Sequence, residues 1–422
     1  MRPQVAQSDD EKQALRKAAL NFDIKRLEPS FLADPFPIYR ALREHDPIHR
    51  MPDGSYFLTR YEDCNAVYHD PQTWSSDKKI DFRPSFGDSS LYEHHTTSLV
   101  FNDAPYHSRV RKLLAPAFTP RALKALQPRI EALVDRLLDH AAERGEIDLI
   151  ADFAAAIPLQ LIGDMLGVPQ DERGPLRDWS LAILGALEPV LSPAQRERGV
   201  RAVDDFKAFL RELIARRSRE QAGNDAEILS KLIAGSELCP TGVPQECMSE
   251  LELLHNCIFL LNAGHETTTN LIGNGIDLLV RNPDAMRELR RHPQLIESAV
   301  EEFLRLESSN QLGNRRAATD TVLADVAMPK GTYVHIGIGA ANRDPAQFPE
   351  PDRLDISRSP NRHLAFATGI HACAGMSLAR MEGQVAIGRL VQRFTTIERA
   401  GDVVRGGRAR FRGFVRYPLR VS

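Results

Sequence analysis

Apolar residues recur at spacings of three and four through most of the stretch from about Pro105 to Val280. In "LKALQPRIEALVDRLLDHAAERG" and "RAVDDFKAFLRELIARRSREQ" they form one stripe per segment, the pattern of helices that bury a single face. A longer helix is predicted from Ser249, where Ser249 and Glu252 make an S-x-x-E capping box, to about Arg281, where Asn282-Pro283 ends it. That span of about 33 residues reaches roughly 50 Å at 1.5 Å per residue. Its middle, "CIFLLNAG", is apolar on nearly every side, so the helix should run through the core. Strand character lies towards the two ends of the chain. "PIHRMPDGSYFLTR" alternates on both sides of Pro52-Asp53-Gly54 and predicts a β-hairpin. "TVLADVAMPKGTYVHIGIGA" predicts strands around a Pro329-Lys330-Gly331 turn. "NRDPAQFPEPDRLDISRSPNRH" has four prolines and no period and reads as irregular, whereas "MSLARMEGQVAIGRLVQRF" returns to helix. The fold class is therefore mainly α with small β-sheets, α+β. Residues 1–20 are polar and are expected to be loosely held.

Composition adds mainly exclusions. The 422 residues are ample for a large core, and 42% apolar with 26% charged residues is ordinary for a globular chain. A net charge of −3 offers no footprint for nucleic acid or an anionic membrane. No apolar run approaches the ~20 residues needed to span a bilayer. The N-terminus lacks the apolar centre of a signal peptide, so a soluble cytoplasmic protein is expected. Cys64, Cys239, Cys247, Cys257 and Cys373 are odd in number with no CxxC spacing, which speaks against a disulfide framework or a structural zinc site.

Two stretches break local rules. In "AGHETTT", Gly264 sits inside the long helix at ~1 kcal/mol relative to Ala. Glu266 carries charge among buried neighbours, and Thr267, Thr268 and Thr269 are poor helix formers whose hydroxyls can bond backbone carbonyls. The stretch fits either a kink with a satisfied glutamate or a widened turn. In the second case a small ligand would lie beside Gly264 while Glu266 and Thr267 supply protons. A zinc-protease HExxH fails, because Thr269 stands where the second histidine belongs. In "FATGIHACAG", Cys373 precedes a helix starting near Gly375, where free N–H groups and the helix dipole favour a thiolate. Gly369 and Gly375 permit close or unusual backbone paths, Phe366 could pack on a flat apolar ligand, and His371 could reach an anionic group. A free buried thiol, a reactive nucleophile and a metal thiolate all remain open on these residues alone.

Taken together the motifs resemble those of the cytochrome P-450 family, the haem-thiolate monooxygenases. "FATGIHACAG" resembles its F-x-x-G-x-H-x-C-x-G segment, and "AGHETT" its oxygen-binding helix motif. Glu302 to Arg305 resembles E-x-x-R, and "NRDP" and "DISR" resemble the segment between E-x-x-R and the cysteine. With "DAPYHSRVRKLLAPAFTPR" the likeness covers nearly the whole chain and resembles the soluble bacterial members. Ala367 departs from the glycine of many relatives, and its small size is expected to make it equivalent.

The resemblance implies a P-450 fold, with residues 21–422 as one catalytic domain and haem b between the long helix and the cysteine loop. Cys373 would be the axial iron ligand, its thiolate favouring O–O cleavage, with backbone N–H groups after it tuning the sulfur. His107 and Arg111, one helical turn apart, with Arg316 and His371, would meet the haem propionates. Phe366 and Gly375 complete the cofactor set. Glu302, Arg305 and Arg358 would form a buried ion network bracing the pocket. Gly264, Glu266 and Thr267 would line the oxygen side, Thr267 as the oxygen-activating threonine and Glu266 feeding its proton relay.

The implied reaction inserts one atom of O₂ into a small apolar or amphipathic substrate, by hydroxylation or O-dealkylation. Electrons would come from a separate ferredoxin and ferredoxin reductase, since the sequence carries neither a Gly-rich nucleotide-binding segment nor an iron–sulfur cysteine set. Lys112, Arg121 and Lys124 form a candidate docking patch for that donor, with solvated charge as the alternative. A peroxide-driven enzyme and a non-catalytic haem sensor are the other classes. Arg83, Ser89 or Ser90 could hold a polar group of the substrate, and His94-His95 reads as solvent-facing loop.

Overall fold

The computed structural model describes residues 9–220 and 248–422, so Cys239, Cys247 and residues 1–8 lie outside the described part. The capping box forms as the sequence predicts. The Ser249 hydroxyl accepts from the Glu252 N–H at 3.2 Å, and the Glu252 carboxylate accepts from the Ser249 N–H at 2.9 Å. From there one helix runs unbroken over Glu250–Arg281, buried along most of its length. We refer to it as the central helix. Asn282 ends it, and Pro283 opens the next helix, Pro283–Arg291. The helices Ala156–Met165, Leu176–Gly185, Ile296–Leu306 and Met376–Arg393 pack around the central helix, and Pro120–Arg144 packs on the outer side of Met376–Arg393.

The sheets join distant parts of the chain. The hairpin at Asp53-Gly54 forms, pairing Ile48–Arg50 with Tyr56–Leu58. It extends into a five-stranded sheet in the order Ile48–Arg50, Tyr56–Leu58, Tyr333–Gly337, Leu312–Ala317, Trp74–Ser75, with Tyr56–Leu58 parallel to Tyr333–Gly337. Glu146–Asp148 joins Pro418–Val421 and Ile397–Arg399 in a second sheet. Around Pro329-Lys330-Gly331 the pairing differs from a simple hairpin. Val326–Met328 turns back on Thr321–Leu323 through Ala324 and Asp325, both at positive φ, and Tyr333–Gly337 pairs with Leu312–Ala317 instead.

Two further expectations change. Asp9–Leu20 is a helix rather than a loose tail; it packs against the helix Phe36–His45 and buries Ala19. His94 and His95 are not in a solvent-facing loop. They lie on the helix Ser90–Thr97 with side chains buried against His255, Phe82, Phe86 and Phe101. Among the described residues no helix is long and apolar enough to cross a membrane.

Candidate active site

One cavity, about 320 Å³ in volume, lies between the central helix and the cysteine loop. Its walls are mostly apolar, including Leu99, Ile162, Phe259, Leu271 and Leu304, as expected of a small-molecule site. The central helix contributes Ala263, Gly264 and Thr267; residues 263 and 267 are one turn apart and share a face. The opposite wall holds Phe366, His371, Cys373 and Gly375.

The cysteine loop is built to hold a sulfur in place. The Cys373 N–H donates to the Phe366 carbonyl at 2.9 Å, which closes the loop. Gly375 caps the helix Met376–Arg393, and its backbone N–H reaches the Cys373 sulfur. Burial pushes the Cys373 thiol up, while that N–H and the charges of Arg111 and Arg380 pull it down. Arg380 lies over the Phe366 ring, 4.8 Å from its centroid. Gly369 has a φ of 71°, and a Cβ there would come within 2.4 Å of the Tyr68 carbonyl oxygen, so only glycine fits. Ala367 has a φ of 52°, in the left-handed region. Its departure from glycine therefore strains the backbone by about 1–2 kcal/mol, an effect that side-chain size does not capture.

Beside the loop, His107, Arg111, Arg315 and His371 converge on the cavity. The His107 and His371 rings are 4.0 Å apart. Nδ1 of His107 and Nε2 of His371 are buried without a protein hydrogen-bond partner. Desolvation, then the charge of Arg111, lowers His107 to about 4; desolvation, then Arg315, lowers His371 to about 2. Asp103 is 4.0 Å from His371 and is itself held by Ser75 and Ser76. Among the described residues neither Arg111 nor Arg315 forms an ion pair. A buried, cation-rich corner of this kind calls for an anion with several acceptor oxygens.

Arg316, the expected member of this group, points elsewhere. Its Nε donates to Asp81 at 2.8 Å, and its guanidinium stacks over Tyr333. The strand Leu312–Ala317 borders the cavity from Leu312 to Arg315, whereas Arg316 turns away towards Asp81.

The helix motif also differs from a widened turn. The central helix is continuous, and Thr267 and Thr269 donate to the carbonyls of Ala263 and His265 at 2.8 and 2.9 Å. A Cβ on Gly264 would meet Ile162 at 2.9 Å, so the glycine admits a neighbouring helix. Glu266 is buried on another face and paired with Arg408, a partner from the C-terminal loop that nothing local signals. Burial raises Glu266 to about 7 against the pull of Arg408. Its second carboxylate oxygen has no protein partner.

Glu302, Arg305 and Arg358 do meet. Arg305 grips Glu302 through two bonds of 2.7 and 2.8 Å and donates to the carbonyls of Asn342 and Pro351. Arg358 and Asn361 add bonds to Glu302 at 3.1 and 3.0 Å. Arg83 instead pairs with Asp88 at the surface, Ser89 caps a helix, and Ser90 donates to Val200. Lys112, Arg121 and Lys124 are exposed on the helices Tyr106–Leu114 and Pro120–Arg144.

The family model for Cytochrome P450 matches residues 37–405. The chain belongs to the cytochrome P450 family. Cytochrome P450 107B1 of Saccharopolyspora erythraea is 37% identical to this P450 over 396 residues, covering 90% of this chain and 92% of that protein. The vitamin D(3) 25-hydroxylase of Pseudonocardia autotrophica is 39% identical over 368 residues, 86% of each chain. Among solved structures, P450BioI in complex with an acyl carrier protein ligated to hexadec-9Z-enoic acid has a TM-score of 0.87 at 33% identity, covering 93% of this chain and 100% of that one. This P450 is a monooxygenase whose cofactor is haem, acting with O₂ and a redox partner. The residues fit that cofactor: a thiol at a helix N-terminus faces the central helix, and a cation-rich corner with unpartnered imidazole nitrogens lies at the cavity edge.

Proposed function

We propose that this P450 hydroxylates or O-dealkylates a mid-sized apolar or amphipathic molecule in the cavity beneath the central helix, with residues 21–422 acting as one cytoplasmic catalytic domain. The observation that carries this reading is the common cavity of Cys373, Thr267 and the four basic residues. Bound haem supplies the activation of O₂ that lets one oxygen atom enter the substrate. Cys373 holds the iron through sulfur, and the Gly375 N–H moderates the charge on that sulfur. Arg111, Arg315, His107 and His371 would hold the propionates, and Phe366 would lie against the porphyrin. Thr267 orients a proton donor over the cavity. Glu266, which changes charge near pH 7, is held by Arg408 on another face of the helix and would exchange protons with that donor on release from Arg408. Glu302, Arg305 and Arg358 brace the loop from behind. Electrons arrive from a ferredoxin and its reductase, received at the patch of Lys112, Arg121 and Lys124.

The test begins with the reduced, carbon monoxide-bound spectrum. The wild type should have the red-shifted Soret band of thiolate ligation, and Cys373→Ser should lose both the band and turnover with ferredoxin, reductase and O₂. A variant that keeps both overturns the reading, as does turnover supported by peroxide but never by O₂ with the redox chain. Thr267→Ala should retain haem and substrate binding. Its product per electron should fall by about 10²-fold, the low end for a lost proton-transfer group, with peroxide appearing in place of product. Wild-type yield in that variant would remove Thr267 from the relay.

A further inference from the structure

The cavity wall away from the cysteine carries polar groups that the proposed chemistry does not use. His94 and His95 come from the helix Ser90–Thr97, and Asn262 comes from the central helix; all three line the cavity, and each is about 98% buried. Nδ1 of His94, Nε2 of His95 and both polar side-chain atoms of Asn262 have no hydrogen-bond partner in the protein. Burying such groups unpaired costs about 1–3 kcal/mol each, which a folded core avoids by pairing them with a ligand or with ordered water.

The wall that presents them is rigid. The Glu93 carboxylate bonds His255 Nε2 at 2.9 Å and pairs with Lys207, tying the histidine helix to the central helix and to the helix Pro193–Glu220. Asn256 accepts from the Leu99 N–H at 3.0 Å, fixing the chain just after that helix. His94 packs 5.4 Å from the His255 ring, and Asn262 follows His255 by seven residues, two turns along the same face. Desolvation keeps His94 well below its usual pKa and lowers His95 to about 3. Both imidazoles are then neutral near pH 7, each with one donor and one acceptor, matching the mixed donor and acceptor of the Asn262 amide. Arg410 also lines the cavity, but its Nε and Nη1 already donate to the carbonyls of Leu187 and Leu312 at 2.9 and 2.6 Å.

We propose that His94, His95 and Asn262 form a recognition site for neutral oxygen functions, so that the substrate is an apolar skeleton bearing hydroxyl or ketone groups. This rests on the reading of the cavity as the substrate chamber. The three residues are specificity determinants: they select and orient, and take no part in the chemistry.

The test is calorimetric binding of four matched probes to the haem-bound enzyme: cyclododecane, cyclododecanol, cyclododecanone and cyclododecanecarboxylate. The wild type should bind the alcohol and ketone at least about tenfold more tightly than the hydrocarbon, the scale of one good hydrogen bond. Asn262→Leu and His95→Phe, made separately so that one misfolded variant does not decide the matter, should erase that preference while the carbon monoxide spectrum stays unchanged. Equal affinity for alcohol and hydrocarbon would mean that solvent, and not substrate, completes these groups, and would overturn the proposal. So would tightest binding of the carboxylate, which would assign recognition to Arg410, or binding of none of the probes. Because the readout is binding, it fails separately from the Cys373→Ser test of the chamber itself.

Discussion

Two buried charge clusters flank the cysteine loop, and they are built in opposite ways. Around Glu302 the charges close on themselves: one carboxylate accepts from Arg305, Arg358 and Asn361, and the remaining Arg305 donors meet backbone carbonyls. Around His371 four basic side chains converge on the cavity, with Asp103 set 4.0 Å to the side. The first cluster is complete without a ligand. In the second, no acid among the described residues pairs with Arg111 or Arg315, and Asp103 lies 4.0 Å from His371. Buried charge is therefore ambiguous as a sign of function until its partners are counted: a closed network holds the fold, and an open one holds something else.

The largest test of this contrast is Arg305→Ala. It strands Glu302 in the core and should cost about 3–5 kcal/mol in denaturant unfolding, with haem content falling as a consequence. A loss below about 1 kcal/mol would put the closed network outside the fold's essential supports. Next comes Arg315→Leu, which leaves folding nearly intact and removes a charge-assisted bond of about 1.5–3 kcal/mol to a propionate. Transfer of haem to a scavenging apoprotein should speed up roughly ten- to a hundredfold. Arg316→Leu should leave that rate at the wild-type value, since its partner is Asp81. Equal effects of the two substitutions would erase the distinction between Arg315 and Arg316.

The smallest effect is in pH. His107 faces Arg111, Arg315, His371 and Asp103, and its pKa falls from 6.5 to about 4 in the fold. Below pH 6.5 the unfolded chain takes up a proton that the folded, haem-free protein refuses. Its stability is thus full above pH 6.5 and is lost as the pH drops towards 4. Propionates in the same corner favour the protonated ring, so urea midpoints measured between pH 7 and 5 should decline less for the haem-bound protein. Parallel declines would mean that the open cluster does not meet the cofactor.

How much of this was legible depended on how local each feature is. The central helix, its capping box and its stop at Asn282 follow from side chains within a few residues of one another, and the structure reproduces them. The cysteine loop was likewise readable, because its glycine, histidine and cysteine act within one turn. Ala367 marks the edge of that legibility: its identity was visible, but its positive φ was not. Glu302 and Arg305 share a helix face, and their pairing was expected; that Asn361 completes them was not. Arg316 was expected at the cavity and Arg315 lies there instead, because which of two neighbouring strand residues meets the cavity depends on how the strand pairs with Tyr333–Gly337. His94 and His95 looked like polar loop because their cover comes from several separate segments, Phe82 and Phe86, Phe101, and the distant His255, which no single stretch of sequence brings together.

Periodicity, capping and motif spacing, all short-range properties of the chain, were enough for the long helices, the cysteine loop and the family, though not for the helices Asp9–Leu20 and Ser90–Thr97. Which basic residues surround the cavity, that Arg408 holds Glu266, and that buried polar groups line the cavity were visible only in the folded structure. The physical reason is common to all three. Burial and charge pairing are set by what the rest of the fold lays against a side chain, and the Arg408–Glu266 contact, for one, is made across 142 residues.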